Sequence, residues 1–345
     1  MRRLLVITGI IVAILGTILG VAWTTGESRI VRELRPALTQ SHGVSARDLS
    51  ELRDPLRFGV RLDSVMVNLA DLVIELPMLD IWLQMLRPNE VHASLPERLT
   101  IQTAAGPLEA WLDAPEVNMR FALLDDLAIR RGRIAAQQIT LQGRQLASGL
   151  DLTGRLVHPG PDAPPSALST YEIRGGIAAF DIAVLPGVIL PPGMQQGQVS
   201  VSGEILLWLD GHLVPMTEGH PPRLLGLDIE TLHLSLGDMQ VELAGQIVAD
   251  SLGRAEGQIM LYTRDTEQIL QIIANLGMIP KNSVLIGTGF LEQVSKTHAP
   301  APSDHSPSFR TRRDGELRLP LIFTDGAMKL GPLRIGNAPV LSAQP

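Results

Sequence analysis

Histidines, paired carboxylates and nucleophile motifs are the residues through which this chain could do chemistry. The eight histidines are His42, His92, His158, His212, His220, His233, His298 and His305. None forms an HExxH helix motif or a close pair at metal-ligand spacing. His212 and His220 flank a proline-rich stretch with Glu218 between them, a weak grouping for a metal. His158, His298 and His305 fall in loop-like segments and His233 on the polar side of a strand, so these four read as solvated. Asp125-Asp126 is the one adjacent acidic pair. It follows "MRFALL" and reads as a turn rather than as an acid–base couple. "GVSAR" at Gly43 only approaches a GxSxG nucleophile elbow, and no strand signal precedes it. "GTGFLE" at Gly287 lacks the third glycine of a dinucleotide loop and follows no strand. There is no P-loop. The absence of cysteine excludes disulfides, thiolate metal sites and cysteine nucleophiles. The expectation is a protein without catalytic, cofactor-binding or metal residues, and so not an enzyme.

The elements that would position any site are mostly strands. The 345-residue chain is 45% hydrophobic and 19% charged, but only 3% aromatic. Its apolar surface is therefore aliphatic, which disfavours stacking on bases or sugars. A net charge of −7 without a long basic run argues against a nucleic-acid partner. Arg130, Arg131 and Arg133 form a local basic patch, read as a solvated turn or as a contact for anionic headgroups.

Leu4 to Trp23 are 20 uncharged, mostly apolar residues. As a helix they would span roughly 30 Å, one bilayer core. The run is longer than a cleaved signal's apolar region and ends on a bulky Trp23, which suits an uncleaved anchor. Residues 1–26 are accordingly read as a cytoplasmic tip and transmembrane anchor, with Leu4, Ile11, Leu15, Leu19 and Trp23 as its anchor residues. Gly16 and Gly20 make a GxxxG spacing. Arg2 and Arg3 before the span are balanced by Arg29, Arg32 and Arg35 after it. The short leading tail places the bulk of the chain outside the cytoplasm. Residues 27–54 read as a polar juxtamembrane segment, with a short helix in Ser28 to Leu52.

From residue 55 to 345 the pattern predicts one exported β-rich domain. Leu56, Phe58, Val60 and Leu62 alternate, as do Val65, Val67 and Leu69, then Leu72, Ile74 and Leu76 on the other parity. Such a switch marks a bulge or break. Similar short runs follow, separated by Gly, Pro, Asn or Asp, without a βαβ rhythm. His158 to Ser169 is a proline-rich exposed loop. "LDIETLHLSLGDMQVELAGQIVADSLGRAEGQIMLYT" reads as a meander with turns at Gly237-Asp238 and "ADSLG". In it Leu232, Leu234 and Leu236 share one face, and Thr231, His233 and Ser235 the other. A helical insertion is expected over about 265–296. Asp265 caps a first helix bearing Ile269, Ile272, Ile273 and Leu276, and Gly277 ends it; a second runs over about 282–296. A disordered loop, about 297–309, follows. "LRLPLIFTDGAMKLGPLRIG" closes the domain as a hairpin with a type I′ turn at Asp325-Gly326. Its register pairs Thr324 with Ala327, Phe323 with Met328 and Leu321 with Leu330. Pro320 makes this strand an edge or interrupts it. The fold class is mainly β: an antiparallel, elongated or groove-like sheet, with an N-terminal transmembrane helix and a short helical pair before the hairpin.

"LRPNEVHASLP" (Leu86 to Pro96), "GQIVADSLGRAEGQIMLYT" (Gly245 to Thr263), the helix ending in "LGMIP" and "LPLIFTDGAMKLGPLRIG" occur in this order. Together they resemble an uncharacterised family of alphaproteobacterial envelope proteins, the domain-of-unknown-function 2125 family. That resemblance implies a single-span protein of the inner membrane facing the periplasm, and carries over no catalytic residue. The layout of one anchor before a glycine-punctuated β domain is also similar to AsmA-like envelope proteins, which implies an apolar β-groove for lipid.

Two functions from different classes remain open. In the first, an aliphatic β-groove handles or senses membrane lipid by taking up acyl chains, with Val65, Val67, Leu232, Leu234, Leu236, Leu319, Leu321 and Phe323 as its candidate groove, or simply core, face. In the second, the chain is an envelope interaction scaffold with a protein partner and no lipid ligand. Neither needs a cofactor. An open aliphatic face favours the first, and two sealed or polar faces the second.

Overall fold

The computed structural model describes residues 28, 31–32, 44–54, 57–69, 72–84, 87–104, 106–122, 128–185, 198–214, 222–265, 309–331 and 333–342. They contain seventeen strands, a 3-10 turn at Ile182–Val184 and helical backbone at Ser28, Val31 and Arg32. Every registered pairing is antiparallel. The chain is therefore mainly β. Among the described residues no helix is long and apolar enough to cross a membrane. The anchor expected over 1–26 lies outside them, and so do the helical insertion and loop beyond Asp265 up to residue 308. The β-rich stretch expected over 55–345 is divided between two compact units. One holds the described residues up to Arg120 together with 139–143; the other holds 121–138 and 144 onward.

The first unit is built on β1 (Val44–Glu51), β2 (Arg57–Leu69) and β3 (Leu72–Gln84), paired in that order. In Ser28 to Leu52, where a short helix is expected, Ser28, Val31 and Arg32 are helical but Val44–Glu51 is strand. Val44, Ala46 and Leu49 supply too little helical periodicity, and the segment pairs along β2 from Val44↔Val67 to Glu51↔Val60. β3 then meets two shorter strands, β4 (Arg87–Ser94) at Asp80 to Gln84 and β5 (Arg98–Thr103) at Val73 to Glu75. β6 (Gly106–Asp113) pairs β5, and β7 (Glu116–Ala122) pairs β4 through Arg120. The long hairpin of β4–β5 and β6–β7 is thus broken in both arms, at Leu95 to Glu97 and at Ala114-Pro115.

These breaks continue a crease in β2 and β3. Ser64 takes φ 49, the left-handed region that a non-glycine residue seldom visits. The turn of the chain there puts Leu62 and Val65, of opposite parity, in one core cluster with Leu49, Val60 and Leu76. The parity switch read from the sequence, between Leu69 and Leu72, falls instead where β2 gives way to β3, which pair as Leu69↔Leu72. Val31 packs against the same cluster, and the Ser28 hydroxyl donates to Glu51 at 2.5 Å.

The second unit runs from β8 (Ala128–Leu141) and β9 (Arg144–Val157) through β10 (Ser169–Asp181), β11 (Gln198–Leu209), β12 (Leu224–Leu236), β13 (Met239–Ala249) and β14 (Ala255–Thr263). β15 (Leu317–Thr324), β16 (Ala327–Leu330) and β17 (Leu333–Asn337) complete it. From β9 to β17 each strand pairs with the next. The expected turns are present. Gly237-Asp238 joins β12 to β13, and the Asp250 carboxylate accepts from Leu252 N and Arg254 N in the turn before β14. Asp325 and Gly326 have φ 51 and 71, and the hairpin register is Thr324↔Ala327, Phe323↔Met328, Leu321↔Leu330. β15 pairs on both sides, and its ladder to β16 stops at Pro320, whose carbonyl accepts from Gly331 N at 3.0 Å. Gly245 at φ 140 bends β13, where a Cβ would lie 2.3 Å from the Gln258 carbonyl oxygen.

Candidate functional site

Strand register sorts the second unit's side chains into two unlike faces. On one face the rows across the strands are aliphatic. Ile177, Val201, Leu234 and Val241 form one row, and Ile173, Ile205, Ile229, Gly245, Ile259 and Leu321 another. Between them Leu232, Leu243, Leu261 and Leu319 align; Tyr171, Leu207, Leu227, Ile247, Gly257 and Phe323 make a fourth row. A bulge between Ile229 and Leu232 lets residues of opposite parity in β12 share this face. The face is closed towards β15, where Leu319 and Phe323 are 1% and 5% exposed. Towards β11 it opens: Val199, Val201, Ile205 and Leu207 are all half-buried, as are Leu232, Leu234 and Leu243.

The opposite face is mixed, and several of its charged groups are paired. Arg155, Glu172, Arg174 and Glu204 form a chain of ion pairs, each 2.6 Å. Tyr262 and Met260 are buried there, and Arg310 lies 3.8 Å over the Tyr262 ring. Arg310 also binds Glu242 and Glu316, both at 2.7 Å. Its cation and the Arg313 amide hold the Glu316 carboxyl down at about 2. The proline-rich loop crosses this side, exposed as expected, with the Asp162 carbonyl accepting from the Gln246 amide at 3.0 Å. Below it Asp228 is pushed up to about 6, first by burial and then by Glu230 and Asp162.

The first unit contributes a trough of about 740 Å³. Three consecutive residues from each of β1, β2, β3, β5 and β6 line it. The middle ones make a row along the crease: Ala46↔Val65, Val65↔Leu76 and Leu99↔Ala110 are cross-strand partners. Val65, Leu76 and Ala110 are buried, whereas Met66 and Trp111 are exposed. Arg98 stacks on Trp111 at 3.7 Å, and Glu75 and Glu109 flank Thr100, two residues along β5 from Arg98. The trough is amphipathic, with charge of both signs on its rim.

The structure separates the residues chosen from the sequence. Leu232, Leu234, Leu236, Leu319, Leu321 and Phe323 share the aliphatic face of the second unit. Val65 and Val67 belong to the core of the first. His233 is exposed on the mixed face between Ser202 and Glu242. Glu218 and His220 lie outside the described residues, as does Asp125-Asp126. Among the described residues no group of three or more His, Asp or Glu is arranged to hold a metal ion. Arg130, Arg131 and Arg133 are on strand β8 rather than in a turn, and Arg133 pairs Asp151 at 2.9 Å. Sequence reasoning missed a stack of Arg57, Trp82 and His92, with spacings of 4.7 and 5.8 Å. Its signal was Gly59, directly opposite Trp82, where a Cβ would strike the tryptophan.

A family model described as an uncharacterised protein conserved in bacteria matches residues 55–339. The chain belongs to the DUF2125 family. The match takes in both units and runs from the start of β2 to just beyond β17. No curated protein and no solved structure matches the chain.

Proposed function

We propose that this DUF2125 protein is a membrane-anchored periplasmic component of the cell envelope that handles or senses lipid without catalysing a reaction. The acyl chain would lie against the aliphatic face of β11 to β13. The observation behind this reading is the incompletely buried part of the aliphatic face. Val201, Ile205, Leu232, Leu234 and Leu243 on the aliphatic face stay only half-buried, while the mixed face is crossed locally by the proline-rich loop at Gln246 and by Arg310 at Tyr262. An antiparallel sheet ordinarily buries its apolar face and solvates the other. Each acyl CH₂ buried there would contribute about 0.8 kcal/mol. The apolar run from Leu4 to Trp23 supplies the anchor, and the AsmA-like layout adds support by analogy.

The test is purification of the full chain from membranes in mild detergent, followed by lipid extraction and mass spectrometry. Phospholipid at a fixed ratio to protein that survives detergent washing supports the reading. A lipid-free protein counts against it. The second reading, an envelope interaction scaffold, is favoured by the trough of the first unit, whose rim charges suit a polar polypeptide. A partner that co-purifies with lipid-free protein, and is lost in Arg98→Glu, would select it.

A further inference from the structure

The second unit gathers exposed aliphatic side chains at one end of its sheet. Antiparallel pairing brings the start of β10, the β11–β12 and β13–β14 connections and the residues after β17 to that same end. Leu168, Leu213, Leu252 and Val340 sit in these connections, exposed by 67%, 36%, 57% and 63%. They fall into two pairs. Leu168 N donates to the Leu209 carbonyl, while Leu213 N donates to the hydroxyl of Tyr171 on the adjoining strand. Val340 bridges to Arg254, next to the turn that carries Leu252.

A lone exposed leucine is ordinary. Here the side chains are presented on fixed backbone. The Asp250 carboxylate accepts from Leu252 N and Arg254 N, which sets the shape of that turn. Ala338 and Leu341 flank Val340 and pack into a cluster with Ile247, Ala255 and Phe323, so Val340 projects from an anchored segment. Two pairs of neighbouring charges are joined within the end itself. Asp250 meets Arg254 and Asp210 meets Arg223, each at 2.7 Å. The Arg254 guanidinium also lies beside the Asp325-Gly326 turn.

We propose that this end of the second unit is a bilayer-contact surface, whose aliphatic tips enter the headgroup–acyl boundary of a membrane. Separate tips inserted side by side suit a fluid apolar phase, whereas a protein interface core is a continuous packed patch. Pairing within Asp250–Arg254 and Asp210–Arg223 lowers the cost of bringing those four charges to the boundary. The 20-residue apolar segment at the N-terminus would keep the chain beside such a surface. The inference rests on the lipid reading and deepens it. The half-buried Leu207 and Leu227 stand at this end of the aliphatic face, whereas Ile247 and Phe323 beside them are sealed by the Ala338–Leu341 segment, so an acyl chain entering here would pass onto the β11–β12 side of that face.

The chain has no cysteine, so single labelling sites need no background removal. The variants are Leu168→Cys, Leu252→Cys and Val340→Cys, with Asp238→Cys at the opposite end as the control. Each full-length variant carries an environment-sensitive fluorophore and is reconstituted in vesicles of phosphatidylethanolamine and phosphatidylglycerol. The expected result is a blue-shifted emission at 168, 252 and 340 that loses intensity when the lipids bear acyl-chain spin labels, with neither effect at 238. A blue shift without quenching by spin-labelled lipid would mean burial against protein and would overturn the proposal. So would aqueous emission at all three positions. If bound phospholipid is still recovered by mass spectrometry in that case, the lipid reading stands and only the contact surface falls.

Discussion

Replacing Arg310 by alanine tests how the mixed face of the second unit is sealed. Arg310 makes paired bonds to both Glu242 and Glu316, at 2.7 to 2.9 Å, and stacks on Tyr262, whose hydroxyl donates to the Arg310 carbonyl at 3.0 Å. Glu316 is 7% exposed. Its carboxyl is held at about 2 against an ordinary 4.5, chiefly by the Arg310 hydrogen bonds. That difference corresponds to about 3 kcal/mol at neutral pH. Removing the cation also leaves Glu242 and Glu316 facing each other, and breaking such a buried pair costs about 3–5 kcal/mol. Hydrogen exchange read by mass spectrometry on β13 to β15 should therefore show a loss of opening free energy of about 3–5 kcal/mol. The pH dependence has a definite sign. Because the folded pKa lies below the unfolded one, the contribution is full above about 4.5 and fades as pH falls towards 2. Arg310→Ala should flatten that acid slope. The triple change Arg310→Met, Glu242→Leu, Glu316→Leu should recover most of the loss, since well-packed apolar residues replace a buried ion cluster without a large penalty. A single-variant loss below about 1 kcal/mol, the level of an exposed ion pair, would refute the reasoning.

Asp228 has the opposite sign. Its folded pKa of about 6 exceeds the ordinary 3.8, so stability should fall as pH rises between these values and stay level above. Asp228→Asn should remove that fall and raise stability at pH 7 by roughly 1–2 kcal/mol, allowing for solvent screening of a half-exposed group. Thermal unfolding of the full chain in detergent, compared at both ends of the window, checks this; an Asn variant that is less stable at pH 7 contradicts it. Gly245→Ala meets the Gln258 carbonyl at 2.3 Å and requires φ 140, so it should destabilise the second unit by about 3 kcal/mol. An unchanged melting curve would show that the bend at β13 is not required.

Much of the fold was legible because alternation of side chains and turn chemistry are local. The Asp325-Gly326 register follows from two residues that accept positive φ, flanked by apolar partners. The change of parity between Leu62 and Val65 marks the crease but went unread, because the switch read as a break lies between Leu69 and Leu72, where β2 simply turns into β3. The same signal, Ile229 followed by Leu232, was present in β12 and went unread, so Leu227 and Ile229 were not placed with Leu232, Leu234 and Leu236. β1 was missed because its pattern is carried by three apolar residues among charges, and its strand form comes from pairing with β2. The separation of Val65 and Val67 from the other candidate groove residues depends on contacts distant in sequence, which periodicity does not encode. Nor does alternation say which face of a sheet its own loops will cover. Arg310 reaches Glu242 from 68 residues away, and no local pattern announces it.

The central claim is that acyl chains rest on the half-exposed aliphatic face of β11 to β13. Its most direct test uses a phospholipid with a photoactivatable diazirine near the end of one acyl chain, incorporated into membranes that hold the full-length protein. After irradiation and digestion, adducts are mapped by mass spectrometry. The account predicts adducts on Val201, Ile205, Leu232, Leu234 and Leu243 as well as on the N-terminal apolar segment, with the β11–β13 adducts abolished in Leu234→Asp. Adducts confined to residues 4–23 would contradict it.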